Sequence, residues 1–176
     1  MKPLISGIAM IIISLLMLIF QIDNYNCRLQ TEFLKHCADE ASGSASLFYD
    51  KDKFNQGSKI FIENEGIKVI EHIIKTYLKT DDNLLPTSKS YWKDKITYKA
   101  YFFDDDMNCK VYENGKYINS FNFTYPYLYT DELLNYKKTI TKANVIVTVN
   151  AGKSTYSIFF LNTPVVIRSS GYEYEI

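Results

Sequence analysis

The chain has 176 residues, with 20 Lys+Arg against 20 Asp+Glu, so its formal net charge is zero. That balance supplies no basic footprint for nucleic acid, and no nucleic-acid partner is expected. The length suits one modest domain behind an apolar N-terminus, and the 15 Tyr and 11 Phe suit strands, where aromatic side chains pack well.

The chain opens "MKPLISGIAMIIISLLMLIFQIDNYNC". From Leu4 to Ile22 it carries no charge, and its polar side chains are Ser6, Ser14 and Gln21. As a helix this run spans roughly 28 Å at about 1.5 Å per residue. That nearly matches a hydrocarbon core of about 30 Å. A cleaved signal would have a shorter apolar run and small residues at its end. Here Phe20, Gln21, Ile22 and Asp23 close the run, and Asn24, Tyr25 and Asn26 do not make Cys27 a lipoprotein cysteine. An uncleaved transmembrane anchor over residues 1–22 is therefore expected. The positive charges before the run, Lys2 and the amine of Met1, place the N-terminus in the cytoplasm and the rest outside. Arg28 and Lys35 beyond the run act against that orientation.

Gly7, Ser14, Gln21, Arg28 and Lys35 recur every seven residues. Such a row drifts only about 20° per step around a helix. Small and polar residues on one face let helices approach and hydrogen-bond in lipid, so this row is a candidate helix-packing face.

Apolar residues then fall at Ile22, Tyr25, Leu29, Phe33, Cys37, Ala41, Ala45 and Phe48, in helical steps of three and four. No proline interrupts. The anchor should continue into a helical stalk over residues 23–48, ahead of an extracytoplasmic domain over residues 49–176. "YDKDKFNQGSK" reads as a turn region and "KIFIE" as a short extended piece. "NEGIKVIEHIIKTYLKTDD" reads as a second helix with Asn64 as N-cap, burying Ile67, Ile70, Ile74, Tyr77 and Leu78, and stopped by Pro86.

The remainder reads as β-structure. "KITYKAYFF" alternates Ile96, Tyr98, Ala100 and Phe102 against Thr97, Lys99 and Tyr101. "KVYENGKYI" is a hairpin, since Asn114-Gly115 suits a type I′ turn. "FNFTYPYLY" is a less regular aromatic stretch. "TITKANVIVTVNAG" reads as one strand anchored by Ile140, Val145, Val147 and Val149. "STYSIFFL" and "VVIRSSGYEYEI" follow as two more. The expected fold is α+β: the long N-terminal helix, then a second helix packed on an antiparallel sheet of about four to six strands.

Chemical motifs are sparse. Three cysteines, Cys27, Cys37 and Cys109, make an odd set without a disulfide framework, and all three are expected to be free. His36, Asp39 and Glu40 cluster at i, i+3 and i+4 on the stalk, which is a metal-ligand spacing without a partner site. A solvated charged face is the competing reading. His72 falls on the exposed side of the second helix. Asp104, Asp106 and Asn108 carry the spacing that opens a calcium loop. Cys109 stands where the glycine would be, however, and Gly115 where the closing glutamate would be. Ser90-Tyr91-Trp92-Lys93 matches the letters of Ser-x-x-Lys without companion motifs. No nucleophile elbow, zinc-protease helix, phosphate loop or dinucleotide loop occurs. The expectation is a non-enzymatic chain with no cofactor and no metal.

An apolar N-terminal helix leads into "LQTEFLKHCADEASGSA", a short extended piece, a helix and a β-rich end. In this it resembles the TadE-like minor pilins, or pseudopilins, of tight-adherence (Tad) pilus systems. The block Ala38, Asp39, Glu40, Ala41 with the small residues to Ala45 is similar to that group's "ADEAA" stretch, and "KANVIVTVNA" and "VVIRSSGYEYE" are similar to its closing strands. The resemblance implies a cell-membrane subunit that acts by assembly. Its partners would be the lipid bilayer, other pilin or pseudopilin subunits and assembly platform proteins. Pilin processing uses a glycine followed five residues on by glutamate. Here the fifth residue after Gly7 is Ile12, a departure from that pattern that is compatible with a membrane-resident accessory role. The alternative expectation is a membrane-anchored binding module for an envelope ligand, with a concave pocket in its β-domain.

Overall fold

A computed structural model describes residues 2–132, 134–156 and 163–173. Its first element, α1, is one unbroken helix over Lys2–Ala45, 44 residues long. The elements after it are α2 (Lys51–Asn55), α3 (Glu63–Leu78), β1 (Thr97–Phe103), β2 (Asn108–Glu113), β3 (Lys116–Asn122), β4 (Tyr127–Asp131), β5 (Tyr136–Ile140), β6 (Asn144–Lys153) and β7 (Val165–Glu173). Five strands form one antiparallel sheet in the order β3-β2-β1-β6-β7, and β4-β5 form a separate two-stranded ribbon. The expected α+β layout is present.

The two faces of the sheet carry two cores. β1 shows why, because Phe102 and Phe103 are adjacent, point to opposite faces and are both fully buried. On the inner face Tyr98, Ala100, Phe102, Val145, Val147 and Val149 pack with Leu34, Cys37, Ala38, Ala41 and Ala45 of α1 and with Ile67, Ile70, Ile74 and Leu78 of α3. On the outer face Phe103, Cys109, Val111 and Ile146 pack under the β4-β5 ribbon with Phe123, Tyr129 and Ile140. The upper half of α1 is therefore part of the main core.

The buried face of α1 agrees with the apolar register read in the sequence at Cys37, Ala41 and Ala45 and departs from it below them. Ile22, Tyr25, Leu29 and Phe33 are exposed, whereas Cys27, Leu34, Cys37, Ala38, Ala41, Ser42 and Ala45 are buried. Each step of four residues drifts by about 40° around a helix of 3.6 residues per turn, so the lower end of that register turns away from the buried side. Packing selects the stripe of small residues because it lets α1 approach its neighbours closely. A Cβ added at Gly43 would stand 3.7 Å from the Tyr172 ring, and one added at Gly66 of α3 would stand 3.6 Å from the Ala45 Cβ.

Four local readings also change. "YDKDKFN" contains α2, capped by Asp50, whose side chain accepts from the N–H groups of Asp52 and Lys53. α3 starts at Glu63 after Ile62, so Asn64 lies inside it. It ends at Lys79, which takes the left-handed conformation, well before Pro86. Tyr77 is exposed, and Ile73 takes its expected place in the core. "TITKANVIVTVNAG" is two strands, because the chain leaves the ribbon after Ile140 and joins the main sheet at Asn144. Of "STYSIFFL", Ser154, Thr155 and Tyr156 are not in a strand, and the rest lies outside the described residues, as does the end of the last segment. The hairpin forms as read: Asn114 and Gly115 have φ of 47° and 77°, the positive values that the turn requires.

Candidate functional site

Three surfaces could carry function: the bare lower half of α1, a depression where α1 meets α3 and β7, and a groove on the outer face of the sheet.

Among the described residues, α1 is the one helix long and apolar enough to cross a membrane. From Leu4 to Ile22 every residue is exposed, and among the described residues the Tyr156 ring meets this segment at its upper end, edge-on to Phe20. The seven-residue row lies on its open side. Gly7, Ser14, Gln21, Arg28 and Lys35 are all exposed, and a Cβ at Gly7 would meet nothing within 4 Å. Ser14 Oγ donates to the Met10 carbonyl at 2.9 Å, which satisfies the hydroxyl within the helix. Arg28 pairs with Glu32 at 3.6 Å, one turn on.

The residues that resemble the pilin block divide by face. Ala38, Ala41 and Ala45 are fully buried against the sheet and α3, while Glu40 is exposed and Asp39 half-buried. His36, Asp39 and Glu40 line a shallow depression with Phe33, Tyr77 and Tyr172. Among the described residues no group of three or more His, Cys, Asp and Glu side chains converges with metal-binding geometry.

Of the calcium-like letters, Asp104 serves a structural purpose together with its neighbour Asp105. Asp104 is buried, and its Oδ1 accepts the Phe61 N–H at 2.8 Å. Asp105 Oδ2 accepts the Lys59 N–H at 2.7 Å, and its Oδ1 accepts the Ala143 N–H at 3.2 Å. The two carboxylates thus fasten the extended piece after α2 to the end of the sheet. Lys110 ion-pairs with Glu63 and stands 4.0 Å from Asp104 Oδ2. Burial pushes the Asp104 carboxyl up to about 7; the Phe61 amide and the Lys110 ammonium oppose the shift, and Asp106 and Glu63 add to it.

Ser90 is likewise structural. Its Oγ donates to the Leu78 carbonyl at 2.7 Å and accepts the Trp92 N–H at 3.3 Å, and Lys93 is exposed. Cys27, Cys37 and Cys109 are buried free thiols. Burial pushes Cys37 up to about 12, so it is a poor nucleophile.

Sequence reasoning did not locate the groove. The ribbon covers only part of the outer face, and beside it lies an opening of about 660 Å³. Tyr101, Phe121, Tyr127 and Tyr129 form an aromatic wall, while Thr97, Thr148 and Asn150 present polar groups from the strands. Tyr101 and Tyr129 stand edge to face at 5.1 Å. Glu113, Asp131 and Glu132 bring carboxylates to the rim against a single lysine, Lys99, which approaches Glu113 at 4.0 Å. These residues come from five strands and one turn, so no local spacing announces them. The aromatic excess of the composition was the available signal.

No family model matches the chain, and no curated protein or solved structure matches it.

Proposed function

We propose that the chain is a membrane-anchored, pseudopilin-like subunit of a bacterial Tad pilus or related secretion assembly, with its N-terminus in the cytoplasm and the α+β body outside. It acts by packing and surface contact, without catalysis. One observation carries the reading: a single helix is exposed at every residue from Leu4 to Ile22 and buries one face in a folded body from Leu34 to Ala45. That arrangement presents a membrane helix rigidly coupled to an external domain. The row from Gly7 to Lys35 is the side of α1 left open for a neighbouring helix. The resemblance of Ala38, Asp39, Glu40, Ala41 and Ala45 to the pilin block supports the same reading.

Gly7→Leu or Ser14→Leu should weaken co-purification with pilus-system components from membranes while leaving the thermal unfolding of the body unchanged. Unaltered co-purification, together with intact pilus assembly after deletion of the chain, would overturn the assembly role.

The groove favours a second reading, an anchored binding module for an envelope ligand. An aromatic wall beside convergent polar groups is the usual make-up of a small-molecule site. Tyr101→Ala with Tyr127→Ala should then abolish binding of envelope oligosaccharides to the full-length protein, measured by calorimetry. A ligand set that binds wild type and double variant alike would remove this reading.

A further inference from the structure

The groove on the outer face of the sheet is longer than its main opening. A second depression of about 240 Å³ shares Lys99, Tyr101, Glu113 and Phe121 with it and reaches Ile118 and Asn119. The joined groove runs from Ile167 on β7 to Ile118 on β3, and so crosses all five strands of the main sheet. At about 4.8 Å between neighbouring strands, that is roughly 19 Å. A ligand that fills it is a chain of several units.

The floor of the groove offers side chains, not backbone. β1, β2 and β6 are interior strands, each paired on both sides, so their N–H and C=O groups are taken up by the ladders. A peptide main chain laid across them would give up its water without finding partners. Thr97, Thr148 and Asn150 stand half-buried on this floor, and their hydroxyl and amide groups suit a ligand rich in hydroxyls. The half-buried rings of Tyr101, Phe121 and Tyr127 supply apolar area beside them.

Charge narrows the class of ligand. Glu113, Asp131 and Glu132 line the groove against the one ammonium of Lys99. Lys99 and Glu113 stand 4.0 Å apart with side chains 51% and 42% exposed, so the pair neutralises Glu113 only weakly. Glu132 makes no ion pair among the described residues. Asp131 Oδ1 accepts the Leu134 N–H at 3.3 Å, which ties the turn carrying Glu132 to the end of the ribbon. An excess of carboxylate beside aromatic rings favours a cation in two ways. The carboxylates accept charge-assisted hydrogen bonds from it, and the electron-rich rings attract it.

From these observations we infer that the groove binds a linear oligosaccharide bearing free amino groups, with its sugar rings along the aromatic wall and its ammonium groups at Glu113, Asp131 and Glu132. The inference rests on the reading of this groove as the ligand site of an anchored binding module.

The test is calorimetry on the full-length protein in a neutral detergent and a mildly acid buffer, where sugar amines carry protons. Three ligands are titrated separately: a linear glucosamine tetramer, its fully N-acetylated counterpart and tetralysine. The glucosamine tetramer should bind saturably. The N-acetylated tetramer should bind at least about tenfold more weakly, because acetylation removes the charge-assisted bonds and leaves the sugar chain. Glu113→Gln with Glu132→Gln should abolish that difference while leaving thermal unfolding unchanged. An N-acetylated tetramer that binds as tightly overturns the selection for amines and leaves the ligand-site reading standing. A preference that survives in the double variant overturns the placement of the ammonium groups. Tetralysine binding as tightly as the glucosamine tetramer overturns the sugar in favour of a basic peptide. No binding of the glucosamine tetramer overturns the inference alone; the ligand-site reading falls only if neutral envelope oligosaccharides also fail to bind.

Discussion

Gly66, in the first turns of α3, faces Phe102. A Cβ there would come within 3.0 Å of Phe102 Cε1 and 3.1 Å of its Cζ. Phe102 is fully buried between the sheet and the helices and has nowhere to move. Gly66→Leu is therefore expected to destabilise the fold by about 1–3 kcal/mol through overpacking, despite the gain in helix propensity. Chemical denaturation in detergent measures this. Asp104 gives a pH signature. Its folded-state value near 7 lies above the ordinary aspartate value of about 3.9. Between those values the folded state holds a proton that the unfolded state has released. Stability from this group is thus fully present below about pH 4 and is lost as pH rises toward 7, with a slope of at most about 1.4 kcal/mol per pH unit. Asp104→Asn should flatten that slope in urea unfolding midpoints taken across the window. The sequence showed three adjacent aspartates with calcium-loop letters. It could not show that Asp104 and Asp105 are spent on the backbone N–H groups of Phe61, Lys59 and Ala143, because those donors are far away in the chain.

Element by element, what was legible is what is locally encoded. β1 alternates, and the β2-β3 hairpin turns on Asn114 and Gly115, whose positive φ values follow from residue type. The unbroken helix needed only an apolar run, a continuing period and no proline. The buried face of α1 was legible only in part: the period found Cys37, Ala41 and Ala45, but it also ran through Ile22, Tyr25, Leu29 and Phe33, which stay exposed, because periodicity does not say where along a helix the packing begins. The larger stripe from Ile22 to Phe33 stays exposed, and the chain buries the small one. Steric approach decides this, and it supports a prediction about the element. Ala41 is fully buried where α1 crosses the sheet, so Ala41→Leu should cost about 1–3 kcal/mol. Leu29→Ala, on the exposed stripe, should change stability by less than about 0.5 kcal/mol. Equal effects in denaturant titrations would mean that the register of α1 is wrong. The break between β5 and β6 was hidden for a similar reason. The ribbon and the main sheet are distinguished by what they pack on, and both halves carry good strand residues.

At the scale of the whole molecule, the question is whether two cores on one sheet unfold together. Cys37 lies in the inner core and Cys109 in the outer one, and both are fully buried. Desolvation raises both thiols, so neither reacts until it is exposed. The inner core contains Phe102 and the outer core Phe103, neighbours on the central strand β1. Losing either face would strip the support from the strand that the other face needs. Cooperative opening is the expectation for elements that share so much buried surface. In a Cys27→Ser background, alkylation of Cys37→Ser and Cys109→Ser variants, each reporting the one remaining cysteine, should therefore give the same opening free energy, equal to that from global denaturation. Faster labelling of Cys109 would show instead that the β4-β5 ribbon lifts away by itself. The outer core, and with it the aromatic wall of the groove, would then be a separate and weaker unit than the body coupled to α1.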